Sequence, residues 1–338
     1  MPAPTRAQVL TPFESMDVMS YSYTARDTLA KISRELGNGQ EEFWQQQAQD
    51  VRQRLIDKLW DPARHACFDR DKNGKPMREL IHNNIRAIYY GIFTQRMADE
   101  FVKHHLLNPH EFWTPFPLPS IAVKDPLFRN DSDNSWAGQP EALTYQRAIR
   151  ALENYGYYAE VTELGQKLIQ AVERGGDRFT QQSDPFTGKP TSPKQDGYGP
   201  AILSVLEYIS RLHGVYVDLA NDRVWWSACD GEDFTYAQRW GGHEWQLSCA
   251  QGRMRGCLNG RELFTSTSSV RVATDLEGKV VAVIGIKPTS QRILLNIGPV
   301  RRRLFVKPNQ TIFIGPLGPT PETEHRQGQS RNWLPPPN

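Results

Sequence analysis

The sequence predicts a multidomain α and β protein, in which an all-helical domain is followed by an antiparallel β-sandwich. Two observations predict it. Up to Leu212, apolar residues recur at intervals of three and four, which is the period of an amphipathic helix. After Val215 the pattern changes to short alternating or β-branched runs separated by turn residues. The pair Asn259-Gly260 between two such runs is a strong hairpin signal.

The domain boundaries follow from this change of period. A chain of 338 residues is long enough for two ordinary domains. We place the helical domain at residues 1–214 and the β-sandwich at residues 215–317. The last stretch, 318–338, is rich in Pro, Gln, Glu and Arg and has little to bury, so we expect a disordered tail there.

The helices are predicted from their caps and their apolar stripes. The first begins at Thr11 as the N-cap, with Pro12 at the first position and Glu14 completing a capping box, and it ends at Gly37. Within it, Leu29, Ile32 and Leu36 recur at helical spacing. The later helices are expected at residues 41–59, at 83–107 with a break near 91–94, and at 140–155, 158–173 and 200–212.

Ten short runs then predict the strands of the sandwich, because turn residues separate them at regular intervals. They are 215–219, 223–227, 235–240, 245–249, 254–258, 270–274, 279–286, 292–297, 302–306 and 311–314.

The charge balance narrows the classes of partner. The chain has 40 basic and 38 acidic residues, a net charge of +2, which gives no electrostatic footprint for nucleic acid. No run approaches the roughly 20 apolar residues of a membrane span, and the N-terminus lacks the pattern of a signal peptide. We therefore expect neither a nucleic acid nor a membrane as a partner.

The cysteines show neither a CxxC pair nor histidines at zinc spacing. They are Cys67, Cys229, Cys249 and Cys257. We interpret them as reduced thiols, which favours a cytoplasmic protein. No Gly-rich phosphate loop is present either. We therefore expect no metal and no cofactor.

The stretch 112–158 is the candidate site. It begins as a loop rich in aromatic residues and proline, passes through a polar turn and enters the helix that starts near Pro140. A sugar site needs such a mixture, because pyranose rings stack on flat apolar faces and hydroxyls bind amides, carboxylates and guanidinium groups. The candidate carbohydrate-binding residues are Trp113, Trp136, Gln139, Tyr145 and Arg147. The alternative is that the aromatic residues form core under a long loop.

Three short segments carry a resemblance to a known family. They are Ser-Trp-Ala-Gly-Gln-Pro at 135–140, the helix end at 149–156, and Gln-Gln-Ser-Asp-Pro-Phe-Thr-Gly at 181–188. In order and spacing the chain resembles the six-hairpin, (α/α)6-barrel glycoside hydrolases of family 63 and the mannosylglycerate-hydrolase-like group, with trehalase more distant. The resemblance covers roughly residues 11–215. It implies an incomplete (α/α)6 toroid and an inverting glycoside hydrolase acting on an oligosaccharide or glycoside.

The chain departs from the family at both catalytic positions. The family pattern places the base carboxylate at position 181, where this chain has Gln181, and Asp184 is the nearest carboxylate that could substitute. The family's acid is expected upstream of Met1, so the chain resembles the C-terminal part of a larger enzyme whose N-terminal half would be its partner. Within the chain, Asp17 is the best acid candidate, because its apolar neighbours favour a neutral carboxyl. Asp17 and Glu141 are equally compatible with a carboxylate that stabilises a helix N-terminus.

Two further functions remain open from the residues. Gln181 and the missing acid are compatible with a non-catalytic carbohydrate-binding or scaffold fragment. A group of polar residues favours instead a polysaccharide lyase of the α-toroid type, since Arg and Asn can neutralise a uronate while Tyr or His moves the proton. This group comprises His82, Asn83, Asn84, Arg86, Tyr89 and Tyr90.

Overall fold

The computed structural model describes residues 14–132, 136–176, 178–191, 197–229, 233–267 and 269–315, and the backbone of Gly318–Pro321. Its internal contacts divide the chain into two units. A helical unit comprises Met1–Tyr155 and Ala171–Ala201, and a sandwich unit comprises Gly156–Gln170 and Ile202–Asn338. The predicted order of helices followed by a β-sandwich is confirmed, whereas the boundary at residue 214 stays a prediction.

The described residues form seven α-helices, and every helix that the sequence predicts is present among them. They are α1 (Met16–Leu36), α2 (Glu41–Lys58), α3 (Asn83–Tyr89), α4 (Gln95–Phe101), α5 (Ala142–Glu153), α6 (Tyr158–Arg174) and α7 (Gly199–Leu212). A full (α/α)6 barrel has twelve helices, so this number agrees with the incomplete toroid that the resemblance implies.

The start of α1 is fixed by a residue distant in sequence. The buried carboxylate of Asp69 accepts the backbone N–H of Met16 at 2.8 Å, while Ser15 makes no side-chain cap. This contact satisfies one of the donors that a helix N-terminus leaves open. Thr11 and Pro12 lie outside the described residues, but the predicted capping box is wrong, because Glu14 lies before the helix and its backbone pairs with Arg70. Gly37 ends the helix as predicted, with φ 60°.

The apolar stripe of α1 faces away from the core of its unit. Leu29, Ile32 and Leu36 are 38%, 48% and 71% exposed. The buried residues of α1 are Met16, Ser20, Tyr23, Ala30 and Ser33. This face packs with α2, whose buried residues are Ala48, Val51 and Leu55.

The predicted break in the third helix is confirmed. Gly91 has φ 73°, and α3 and α4 lie on either side of it. Thr94 caps α4 by accepting the N–H of Met97 at 3.3 Å. One π-helical turn, Val102–Leu106, follows α4 directly. A short antiparallel hairpin, β1 (Trp60–Asp61) with β2 (Ala66–Cys67), precedes α3.

The sandwich unit contains two six-stranded antiparallel sheets, with strand orders β14-β13-β10-β9-β4-β3 and β12-β11-β8-β7-β6-β5. The strands are β3 (His213–Asp218), β4 (Arg223–Ala228), β5 (Phe234–Trp240), β6 (His243–Ala250), β7 (Arg253–Leu258), β8 (Arg261–Ser266), β9 (Arg271–Thr274), β10 (Val280–Ile284), β11 (Gln291–Ile297), β12 (Val300–Val306), β13 (Thr311–Gly315) and β14 (Gly318–Pro321).

One core joins the two sheets. It contains Trp226 of β4 and Phe264 of β8, whose rings meet edge to face at 5.7 Å. The indole N–H of Trp226 donates to the hydroxyl of Thr274 at 3.1 Å, so its polar atom is satisfied inside the core. These inter-sheet contacts are those of a β-sandwich.

Strands β8 and β14 are additions to the predicted set. The turn Asn259-Gly260 has φ 51° and 77°, as a two-residue hairpin requires, and it leads straight into β8. The sequence prediction missed β8 because its first two residues are charged and exposed. Strand β14 pairs with β13. It takes four residues from the predicted disordered tail, because antiparallel pairing with β13 satisfies their backbone groups. Residues 322–338 lie outside the described residues.

Candidate functional site

The loop before α5 holds Trp136 in a strained conformation. Trp136 has φ 52°, in the left-handed region that bulky residues rarely adopt. A Cβ at Gly138 would lie 2.0 Å from the carbonyl oxygen of Arg129, so only glycine fits there. Backbone bonds fix both sides of the loop: Arg129 donates to Ala137 at 2.8 Å and Ser120 to Gly138 at 3.1 Å. Such strain persists where the surroundings impose it, and it is concentrated at functional sites.

The half-buried ring of Trp136 lies beside an ion pair. The guanidinium of Arg86 is 5.8 Å from the centre of the Trp136 ring. Arg86 also binds the carboxylate of Asp17, with Nη1 to Oδ2 at 2.8 Å. A general acid must be free to donate a proton to the leaving oxygen, whereas the carboxyl of Asp17 is engaged by the guanidinium of Arg86. The ion pair thus counts against the acid role of Asp17, which stays a prediction.

His82 connects this group with α5. Its ring meets that of Trp136 at 5.6 Å, and its Nδ1 lies 2.9 Å from the hydroxyl of Thr144. Burial lowers the pKa of His82 to about 3, and the charges of Arg86 and Arg147 act in the same direction. His82 is therefore neutral at ordinary pH. The imidazole of His82 therefore lies near the guanidinium groups of both Arg86 and Arg147.

Glu141, the residue before α5, is a buried carboxyl. It is 1% exposed, and burial raises its pKa to about 8, against the opposing effect of the Gln181 amide. Neither carboxylate oxygen makes a hydrogen bond of normal geometry with the described residues. The charges of Glu141 and Arg147 both affect the pKa of Tyr198, which partial burial raises. Tyr198 thus lies within reach of both charges.

Gln181 is brought to Glu141 by backbone pairing. Glu141 and Gln182 form an antiparallel bridge. Beside it, Ala142 donates to the carbonyl of Gln181 at 2.9 Å, and Ser183 donates to that of Pro140 at 3.3 Å. Two segments about 40 residues apart in sequence therefore run side by side. The position that the family pattern assigns to the base lies next to a buried carboxyl.

Gln139 and Asp184 belong to a polar network that secures these segments. Gln139 is 3% exposed; its Nε2 donates to Asn130 at 2.8 Å, and its Oε1 accepts from Gln182 and Thr191. Asn130 in turn donates to Asp184 at 2.6 Å.

Asp184 has the contacts of a turn carboxylate. Its Oδ1 accepts the backbone N–H groups of Phe186 and Thr187 at 2.9 and 2.8 Å. Partial burial acts to raise the pKa of Asp184, but the hydrogen bonds from Asn130, Thr187 and Phe186 together hold it below its usual value. These contacts favour the structural role of Asp184 over that of a substitute base.

Of the other predicted sugar-binding residues, Tyr145 lies in the core. It is 1% exposed, and its ring stacks on Phe116 at 5.2 Å. Trp113 is half-buried on the preceding loop, where its backbone N–H donates to Asn108 at 2.9 Å. The contacts of Tyr145 are thus those of the alternative interpretation, a core aromatic under a loop.

Two residues of the group proposed for a lyase, Asn84 and Tyr90, have contacts that do not fit that role. Asn84 is buried and binds the backbone of Cys67 in both directions, at 2.8 and 3.2 Å. Partial burial and a hydrogen bond with Tyr21 raise the pKa of Tyr90. A phenol that abstracts a proton needs the opposite change. The geometry therefore disfavours the lyase.

Sequence reasoning treated Glu141 as an ambiguous carboxylate and did not single out Tyr198. Nothing local in the sequence indicates that Glu141 meets position 181, because the bridge is a tertiary contact.

No three His, Cys, Asp or Glu side chains in the part of the chain that the structure describes are grouped as metal ligands would be. None of the described helices has both the length and the apolar character needed to cross a membrane.

The helical part of the chain matches a known protein family. Residues 5–201 match the model of a family described as the mannosylglycerate hydrolase MGH1-like glycoside hydrolase domain. This range contains every candidate site residue discussed above. No curated protein matches the chain.

Several solved structures are similar. A sialidase superposes with a TM-score of 0.64 at 14% identity, over 77% of this chain and 26% of that one, which shows a shared fold alone. The family 63 mannosylglycerate hydrolase of Thermus thermophilus gives a TM-score of 0.47 at 18% identity, over 57% of this chain and 47% of that one. The neutral trehalase of Saccharomyces cerevisiae gives 0.49 at 16% identity, over 59% and 38%. The chain thus spans between about a quarter and a half of the length of these proteins.

Proposed function

The chain belongs to the mannosylglycerate hydrolase MGH1-like glycoside hydrolase family, and on this premise we propose that it is a glycoside hydrolase region of the inverting six-hairpin type. Its substrate is an oligosaccharide or glycoside, and the bond cleaved is glycosidic. Inverting enzymes use two carboxyl groups, one to protonate the leaving oxygen and one to activate water.

The observation that carries the proposal is a group of unsatisfied polar atoms around Trp136 and His82. Oδ1 of Asp17, Nε of Arg86 and Nη1 of Arg147 are buried and have no hydrogen-bond partner among the described residues. Buried polar groups of this kind require a partner. Sugar hydroxyls are both donors and acceptors, so they can bind the carboxylate and the guanidinium groups together while the pyranose ring contacts Trp136.

Binding of small glycosides to the purified chain tests the proposal. Calorimetric titration with a panel that includes mannosylglycerate, the substrate in the family's name, is expected to show saturable binding for at least one member. In Trp136→Ala we expect that affinity to fall about tenfold or more, since a loss of about 1.4 kcal/mol of contact energy has that effect. The midpoint of thermal unfolding is expected to change little, because the ring is only half-buried.

Trp240→Ala is the matched control. Trp240 is 57% exposed on β5 in the sandwich unit, so its loss is expected to change neither affinity nor stability. A large fall in stability with unchanged affinity in Trp136→Ala would assign Trp136 to the core instead.

A second function, carbohydrate binding without turnover, is favoured by Gln181. A neutral amide cannot accept a proton from water, and loss of general-base assistance costs about 10²–10⁴-fold in rate. Measurable cleavage of any glycoside by the purified chain would exclude this second function.

We also propose a cytoplasmic location. All four cysteines are free thiols. Burial raises the pKa values of Cys67, Cys229 and Cys257, which makes them poor nucleophiles for disulfide exchange. This usage is typical of a reducing compartment.

A further inference from the structure

We propose that Glu141 is the general base of this chain, the carboxylate that takes the proton from the attacking water in place of a carboxylate at position 181. The inference rests on the proposed glycosidase function. It assigns the role of the base to a carboxylate, whereas the sequence has only the amide of Gln181 at the position of the family's base.

Glu141 lies beside the position that the family pattern assigns to the base. The bridge between Glu141 and Gln182 sets residue 141 beside position 181, and the Gln181 amide comes close enough to Glu141 to affect its ionisation. A carboxyl on one segment can therefore serve a site that a residue on the neighbouring segment would otherwise serve. The backbone bond from Ala142 to Gln181, 2.9 Å, fixes this register.

The carboxyl of Glu141 is buried with few partners. It is 1% exposed, the Gln181 amide is the side-chain group that favours its charged form, and neither carboxylate oxygen makes a hydrogen bond of normal geometry with the described residues. A purely structural carboxylate at a helix N-terminus would accept backbone N–H groups, and Glu141 makes no such cap. A buried carboxyl needs further partners, and a water molecule bound by these oxygens would be in the position that a general base requires.

The groups around Glu141 determine the pH range in which its carboxyl is ionised and can act as a base. The neighbouring groups are the amide of Gln181, which is neutral, and Tyr198, which also lies within the influence of the Arg147 cation. Burial outweighs the Gln181 amide, so the pKa of Glu141 is raised to about 8. A base with this pKa is strong but is ionised fully only in mildly alkaline solution. Activity is therefore expected to rise with pH and to level off above about 8.

Water forms the new bond to the anomeric carbon as one of its protons passes to the Glu141 carboxylate, and the bond from the anomeric carbon to the leaving group breaks. With a glycosyl fluoride the leaving group departs as fluoride and needs no proton. Glu141 then returns the proton to solvent. The rate of fluoride release therefore depends on the base and does not require a general acid.

The test measures fluoride release from α-D-mannosyl and α-D-glucosyl fluoride by the full chain and three variants. Wild type and the control Glu42→Gln, an exposed first-turn carboxylate of α2, are expected to release fluoride equally. Glu141→Gln is expected to be slower by about 10²–10⁴-fold. The exchanged double variant, Glu141→Gln with Gln181→Glu, is expected to recover most of the rate. Its pH profile should be displaced to lower pH, because position 181 is less buried than position 141.

Equal rates for wild type and Glu141→Gln, with both folded by circular dichroism, would overturn the assignment of Glu141. Sugar binding by wild type without any fluoride release would overturn this inference while leaving carbohydrate binding intact. Neither binding nor release would overturn the proposed function as well.

Discussion

At the scale of single residues, ionisation of the buried Glu141 should lower the stability of the fold as the pH rises. Its pKa in the folded chain, about 8, lies above the ordinary value of 4.5. The folded state therefore binds the proton more tightly than the unfolded chain between these two values. The stabilising contribution is complete below about pH 4.5 and is lost as the pH rises through about 8.

We expect Glu141→Gln to be more stable than wild type at pH 8.5, because the buried charge is removed. Each tenfold change in proton affinity is worth about 1.4 kcal/mol, and relaxation around the charge reduces the full effect, so the gain is expected to be roughly 1–3 kcal/mol. The gain should vanish near pH 4.5. Denaturant unfolding at the two pH values measures it, and an equal difference at both would contradict the buried, protonated carboxyl.

A stabilising change that also slows the reaction is expected of a residue kept for function, since activity and stability compete at such sites. A residue retained for its structure would show the opposite sign, with Glu141→Gln less stable than wild type at pH 8.5.

The sequence could predict which residue types form the site but not how they meet. The loop before α5 was identified from its aromatic residues and prolines, and the structure brings its Trp136 to Arg86 and His82. The meeting of Glu141 with Gln181 depends on a bridge between segments about 40 residues apart, which has no local pattern. Tyr145 was predicted to line a sugar site but packs in the core, because an aromatic residue suits either place.

At the scale of elements, α1 leaves its apolar stripe exposed and buries a different face, which carries Met16, Ser20, Tyr23, Ala30 and Ser33. We expect Leu36→Ala to change the free energy of unfolding by less than about 0.5 kcal/mol, because its side chain is 71% exposed. Leu55→Ala on α2 is the matched substitution at a site that is 0% exposed, and a loss of about 2–5 kcal/mol is expected. Chemical denaturation of both variants makes the comparison. A larger effect at Leu36 would mean that the stripe is covered in the folded protein.

The elements themselves were largely predictable, because their signals are local. Gly37 and Gly91 mark a helix end and a helix break through their left-handed φ values, and Asn259-Gly260 marks a hairpin. The prediction failed where a tertiary contact replaced a local signal. Asp69 marks the start of α1 from 53 residues away, and β8 begins with charged residues whose pairing with β7 overrides their composition.

At the scale of the whole molecule, the two units are not consecutive in sequence. The chain passes between them at residues 155–156, 170–171 and 201–202, so the first part of α6 is assigned with the strands. Within the sandwich unit, Tyr158 is 2% exposed and packs in one cluster with Ile284 and Ile286. The backbone N–H of Ala159 donates to the side chain of Asn309 at 2.7 Å. A boundary at residue 214, as the sequence predicts, would place Tyr158 and Ala159 in one domain and their contacts on the strands in the other.

We therefore expect a fragment of residues 1–214 to be less ordered than the same residues in the full chain. Removing the strands exposes Tyr158 and leaves Ala159 and Glu160 without Asn309, whose amide donates to Glu160 at 2.8 Å. The fragment should bind a hydrophobic dye and exchange the amide hydrogens of 156–170 faster than the full chain. Amides near Leu55, buried within the helical unit, serve as the internal reference. Equal protection of 156–170 in both proteins would support independent folding of the helical domain at the boundary that the sequence predicts.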